Sequence, residues 1–239
     1  MTWMAIDKNI PLDWAKEFEQ LRQNSRNEFL RSFYKRGMVS GSTPIADTPL
    51  VALDFETTGL NSKRDDIVSI GLVPFSIHRI RCAEAQHWIV KPRQALDEQS
   101  IVIHQITHSD IDDAPDLNEI LSELLDAIAG QVVVVHYRYI EREFLFQALM
   151  RRIGEGIRFP VIDTMSLEQG ALQRKRGILA RPLNQPLPSV RLPDCRKRYG
   201  LPPYQLHHAT TDAIATAELL QAQLAYHYPP DAPVRQLWC

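Results

Sequence analysis

The sequence predicts an α/β chain in which a mixed five-stranded sheet is covered by helices and preceded by a helical extension. Three observations predict it. Strand-like runs at 49–56, 67–73 and 86–90 follow one another, the last two across a connection too short for a crossover, so these strands form an antiparallel meander. From residue 116 onward, helix and strand patterns alternate, which argues a parallel part of the sheet covered by helices. Residues 1–47 hold only helical spacing and a turn-rich stretch, so they are read as an N-terminal extension and linker, with the main domain over 48–239.

In the extension, Leu12, Ala15, Phe18 and Leu21, then Phe29, Leu30 and Phe33, recur near the helical period until Gly37, which predicts one long helix or two short ones. Gly41-Ser42-Thr43-Pro44 reads as the linker. The first strand, Pro49 to Glu56, is a buried-strand pattern stopped by Thr57-Thr58-Gly59. Asp116 to Glu119 resembles a capping box, and Leu117, Ile120, Leu121, Leu124, Leu125 and Ile128 follow at helical spacing up to Gly130. Val132 to Val135 reads as a fully buried strand, 142–152 as a helix with Phe144, Leu145, Ala148 and Leu149 inward, and 159–162 as another short strand. Thr211 to Tyr226 reads as the last helix, with Ala213, Ala217, Leu220 and Leu224 on one face.

Composition excludes several classes. With 44% hydrophobic and 23% charged residues the chain has neither a disordered nor a fibrous signature, and no apolar run approaches the roughly 20 residues that span a bilayer. Cys82, Cys195 and Cys239 are odd in number and widely spaced with no C-x-x-C unit, which points to the reducing cytoplasm. The net charge of −2 gives no global nucleic-acid signature, but residues 171–200 hold eight basic residues against one acid. Pro182, Pro186, Pro188 and Pro193 within that stretch predict a partly mobile arm rather than a helix.

Two constellations carry chemistry. Asp54 and Glu56 lie two apart in a strand, so both carboxylates leave on the same face. Paired carboxylates repel, and they are tolerable at a wet strand end or where cations neutralise them. Separately, His207 precedes Asp212 by five residues, with Asp212 in the first turn of the last helix, where a carboxylate is also favoured by the helix dipole.

Together, Asp54-Phe55-Glu56-Thr57-Thr58-Gly59 after a strand and His207-x-x-x-x-Asp212 before a terminal helix resemble the DEDDh family of 3'-5' exonucleases, which includes the proofreading exonuclease subunit of bacterial DNA polymerase III and RNase T. Ile103-His104-Gln105-Ile106-Thr107 is similar to the family's I-H-x-I-T turn, and Asp163-Thr164 to its D-T pair. The resemblance implies a ribonuclease H-like three-layer fold, a mixed five-stranded sheet with helices on both faces. It implies metal-dependent release of nucleotides from a 3' end, single-stranded DNA foremost, through two Mg2+ or Mn2+ ions about 3.5–4 Å apart. Asp54, Glu56, Glu141 and Asp212 are then the metal ligands and His207 the general base. Leu53, Thr57, Thr58, Tyr137 and the basic Arg174, Lys175 and Arg176 are the expected substrate contacts.

One segment departs from the family pattern. Where members carry H-N-x-x-F-D, this chain reads His136-Tyr137-Arg138-Tyr139-Ile140-Glu141, so a Tyr replaces Asn and a Glu replaces the acid, with Asp163 as a competing fourth carboxylate. Two alternatives follow: an exonuclease-like fold that grips nucleic acid without cutting, and a 3'-5' exoribonuclease. The expected partner is nucleic acid with a free 3' end and no membrane. Only 27 residues follow Asp212, too few for a long polymerase-binding tail, which leaves polymerase association open.

Overall fold

The computed structural model describes residues 13–94, 106–176, 188–205 and 207–239. The extension forms two short helices, α1 (Trp14–Asn24) and α2 (Glu28–Lys35). The break between them has a local cause: the Asn27 side chain accepts from the N–H groups of Phe29 and Leu30 and so starts a new helix. Trp14, Phe18, Leu30, Phe33 and Tyr34 are buried in the same apolar core as the sheet. Glu155 ties the helical turn down by accepting from the Ser25 hydroxyl and from the N–H groups of Arg26 and Asn27. The stretch expected as a linker is hydrogen-bonded to the C-terminal segment, with Ile45 N–H donating to Ala232 O and Val234 N–H to Thr43 O.

The sheet has five strands in the order β3-β2-β1-β4-β5. They are β1 (Leu50–Thr57), β2 (Ile67–Phe75), β3 (Gln86–Ile89), β4 (Val132–Val135) and β5 (Val161–Asp163). β1 pairs antiparallel with β2 and β2 with β3, whereas β1–β4 and β4–β5 are parallel. This is the meander plus parallel pair that the sequence predicts. A register shift between Glu56 and Thr57 ends the β1–β2 ladder where the two acids sit, as bulges do at strand ends that carry function.

The remaining helices are α3 (His108–Asp112), α4 (Leu117–Ile128), α5 (Tyr139–Ile153), α6 (Thr164–Arg176), α7 (Leu192–Arg198) and α8 (Ala209–His227). α8 crosses β1 and β2 on one face and carries α6 and α7, while α5 packs on β1 and β2 from the other side with α4 and α2 behind it. The capping box at Asp116 and Glu119 is present, and all six apolar positions expected to face inward on α4 are buried. No helix among the described residues is long and apolar enough to cross a membrane.

Two features differ from expectation. α5 starts at Tyr139, earlier than predicted, which puts Glu141 inside its first turn. The basic stretch is helical over 171–176 and Leu192–Arg198, the second helix being possible because Pro193 falls in the first turn of α7, where a missing N–H removes no helical bond. α6 went unread because its start signal is the last strand residue: the Asp163 carboxylate accepts from Met165 N–H and the Ser166 hydroxyl.

Candidate metal and nucleic-acid site

Strand alternation sends Asp54 and Glu56 to the face covered by α8, and α8 brings Asp212 down onto them from its first turn. One oxygen from each of these three carboxylates lies within 4.8 Å of the others. Close approach of the helix depends on Gly71, which pairs with Asp54 across the β1–β2 ladder. A Cβ at Gly71 would run into the backbone of Ala209 and Thr210, the first residues of α8.

Glu141 arrives from α5. It is 2% exposed, and its Oε2 is buried with no hydrogen-bond partner among the described residues. Burial, and then repulsion from Asp163 and Glu56, hold its carboxyl well above the usual carboxylate range. Asp54 is raised in the same way, by burial first and then by Asp212, Glu141 and Glu56. Asp212 is raised by burial against the opposing pull of hydrogen bonds from the Tyr204 hydroxyl (2.8 Å) and the His208 N–H (3.1 Å). Carboxylates crowded together in a buried site, with a bare buried oxygen among them, form a hard oxygen donor set that suits a divalent cation. The observed chemistry of the cluster therefore fits the ion that the family motif implies.

A family model described as Exonuclease and named for RNase T matches residues 51–220. The chain belongs to this exonuclease family. The family is divalent-metal dependent, and this member carries the Asp/Glu cluster that such an ion needs. A DNA polymerase III of PolC type from Thermotoga maritima is 28% identical over 181 residues, covering 76% of this chain and 12% of that protein. The DNA polymerase III subunit epsilon of Treponema pallidum is 28% identical over 176 residues, 74% of this chain and 76% of its own. The exonuclease chain thus spans about an eighth of the PolC-type relatives it matches. In fold, it is similar to Exonuclease X in complex with 5' overhanging duplex DNA, with a TM-score of 0.56 at 22% identity over 77% of this chain and 97% of that one. It is also similar to the nuclease domain of 3'hExo, a DEDDh family member bound to rAMP, with a TM-score of 0.61 at 15% identity over 75% and 92%.

The other expected site residues of this exonuclease are placed unequally. His207 is exposed, with a left-handed backbone (φ 65°), just ahead of α8. His208 is engaged elsewhere, its ring 4.9 Å from that of His87, whose Nε2 lies 2.8 Å from the Ser69 hydroxyl. The two adjacent histidines are therefore distinguishable in structure, though not in sequence. Thr57 donates to Gly59 O, and Thr58 exchanges bonds with Asp66, which pairs with Arg151 and Arg152, so the loop after β1 is firmly anchored. Leu53 lies on the opposite face from Asp54, and its side chain is fully buried in the core.

Tyr137 has a left-handed backbone (φ 86°) and donates its N–H to Asp163 Oδ1 at 3.0 Å. Asn, the family's usual residue here, adopts that conformation readily, whereas for Tyr it costs about 1–2 kcal/mol. The ring is 47% exposed and lies 5.9 Å from that of Tyr139. Asp163 is occupied by Tyr137 N–H and by capping α6, so Glu141 and not Asp163 supplies the orphaned carboxylate.

Arg174 and Lys175 sit at the far end of α6, close enough to lower the pKa of His227 after the larger effect of its burial. His227 closes α8 and Asp212 opens it, a separation of about 22 Å at ~1.5 Å per residue. The Arg176 side chain, like Ile103-His104-Gln105, lies outside the described residues. Of the basic residues counted in the sequence, Arg196 is internal, 2% exposed and bonded to Ala215 O, while Arg198 is exposed and pairs with Glu168. Sequence reasoning missed Gly71, His87, Tyr204 and Leu60, the last 79% exposed on the loop after β1. Only Gly71 left a signal, a glycine inside a largely apolar strand.

Proposed function

We propose that this exonuclease removes nucleotides from the 3' end of unpaired nucleic acid, DNA foremost, by metal-assisted phosphodiester hydrolysis. The observation that carries the reading is the carboxylate cluster: Asp54, Glu56 and Asp212 within 4.8 Å, with the bare Oε2 of Glu141 buried beside them. Two Mg2+ or Mn2+ ions bound there supply stabilisation of the attacking and leaving oxygens. Asp54, Glu56 and Asp212 hold the first ion and Glu141 supports the second. His207, exposed at the start of α8, takes a proton from the attacking water on a ring nitrogen. The Thr57 hydroxyl hydrogen is committed to Gly59 O, which leaves its oxygen to accept from a terminal 3' hydroxyl.

Preference for unpaired ends rests on exposed apolar surface. Leu60 follows the metal-bearing strand, and the tilted pair Tyr137 and Tyr139 precedes Glu141 on the chain, so both flank the cluster with faces on which a base can stack. A duplex keeps its bases stacked on one another and cannot use such faces. A binding module without cleavage has no use for a bare buried carboxylate oxygen, which only destabilises a protein that binds no cation. Relatives named as polymerase III chains support association with a polymerase as part of this reading.

The test is digestion of matched single-stranded DNA, duplex DNA and RNA with and without chelator, beside Asp54→Ala. Chelator-sensitive hydrolysis, fastest on single-stranded DNA and absent in Asp54→Ala, is expected. Retained binding of all three with no hydrolysis in Mg2+ or Mn2+ contradicts the proposal.

A further inference from the structure

The brace that holds Asp212 lies outside every motif described above. Tyr204 donates its hydroxyl to Asp212 Oδ1 at 2.8 Å, and the His208 N–H donates to Oδ2 at 3.1 Å. The His207 N–H bonds the same carboxylate, so donors from three residues fix its orientation, and with about four lone-pair directions on the two oxygens room remains for a cation. The Tyr204 ring is held in turn. The Arg196 guanidinium lies over it at 4.8 Å from the centroid, a cation–π contact made away from solvent. Arg196 is itself fixed by Ala215 O at 2.8 Å, Pro202 O at 3.1 Å and Glu218 at 2.7 Å.

Ala215 and Glu218 belong to α8, the helix that carries Asp212. The contacts therefore close a ring: from α8 to Arg196 on α7, to Tyr204 on the following loop, and back to Asp212 on α8. A side chain that is buried beside Glu56 and repelled by it would otherwise rotate away from the cluster. We propose that Tyr204, held by Arg196, is the positioning residue that keeps the Asp212 carboxylate aimed at the metal site. The proposal rests on the reading of Asp54, Glu56 and Asp212 as metal ligands.

Tyr204→Phe keeps the ring and its stack on Arg196 and removes only the hydroxyl. The test titrates Mn2+ alone into the full chain by calorimetry, with Tm measured on the same samples. Tyr199→Phe is the structural control, since that hydroxyl bonds Glu168 and lies beside His227 at the far end of α8. Expected is a loss of Mn2+ affinity on the order of 10- to 100-fold in Tyr204→Phe, the usual effect of removing an outer-shell partner, with Tm within a few degrees of wild type. Tyr199→Phe should keep wild-type affinity. Unchanged affinity in Tyr204→Phe overturns the proposal, and so does an equal loss in Tyr199→Phe, which would mark a general loosening of the α8 layer. Asp54→Ala separates the two levels: if it binds Mn2+ like wild type, the metal-site reading itself fails, whatever Tyr204→Phe does.

Discussion

Glu141 is the residue at which family pattern and chain disagree, and its surroundings decide what the disagreement costs. Glu141 lies in the first turn of α5, and its carboxylate is buried beside Asp54 and Glu56. Glu141→Ala is expected to raise the Mn2+ concentration for half-maximal activity on the order of tenfold or more, and Glu141→Asp to leave it near wild type. Asp163→Ala removes a helix cap and a partner for Tyr137 N–H, so it should cost about 0.5–2 kcal/mol of stability and leave the metal requirement alone. A metal titration of the three variants checks this, and a shift confined to Asp163→Ala would reverse the assignment. The clustered acids Asp54, Glu56 and Asp212 were legible because strand period two and the His207-to-Asp212 spacing are local patterns. Tyr204 was not, since its partner is fixed by the way α7 folds back on α8.

Among elements, the sheet was read almost whole, because the three-strand meander and the buried Val132–Val135 run announce themselves by pattern and connection length. Helices α6 and α7 were not, because prolines and charge masked a capped start and a tolerated Pro193. His136 now joins β4 to the segment before α7: its Nε2 donates to Val190 O at 2.9 Å and its Nδ1 lies 2.8 Å from the Thr164 hydroxyl. Burial pushes this imidazole down to about 4, against a smaller upward pull from Asp163. A folded-state value below the unfolded one of about 6.5 means that the unfolded chain gains a proton first as pH falls, so this group's contribution is lost between about pH 6.5 and 4. Asp54 and Glu141 act with the opposite sign, their raised values favouring the fold as pH falls. The variant comparison isolates the histidine. His136→Asn should be less stable than wild type at pH 7 but lose less stability from pH 6.5 to 4, as read by denaturant melts in chelator; parallel losses would exclude the imidazole as the source.

For the whole molecule, the described basic residues divide between two tasks. Arg196 and Arg198 hold α7, α8 and Glu168 together, while Arg174 and Lys175 stand exposed near His227, at the end of α8 that lies about 22 Å along the helix from Asp212, roughly six stacked nucleotides at ~3.4 Å each. Neutralising Arg174 and Lys175 should therefore weaken binding of long single strands and flatten the salt slope by about 0.7 per lost contact, while cleavage of a trinucleotide is unchanged. Equal effects on long and short substrates would place these residues at the scissile end instead. The N-terminal helices supply five large side chains to the common core, so the site rests on a body that includes them. The central claim, that the carboxylate cluster hydrolyses nucleic acid from its 3' end, is tested most directly by the first product of a single turnover in Mn2+. A single-stranded DNA labelled at its 3'-terminal nucleotide should release its label as a mononucleotide at once, while the same strand labelled at the 5' end shortens in a ladder of single steps. Release of the 5' label first, or internal fragments from either strand, would contradict it.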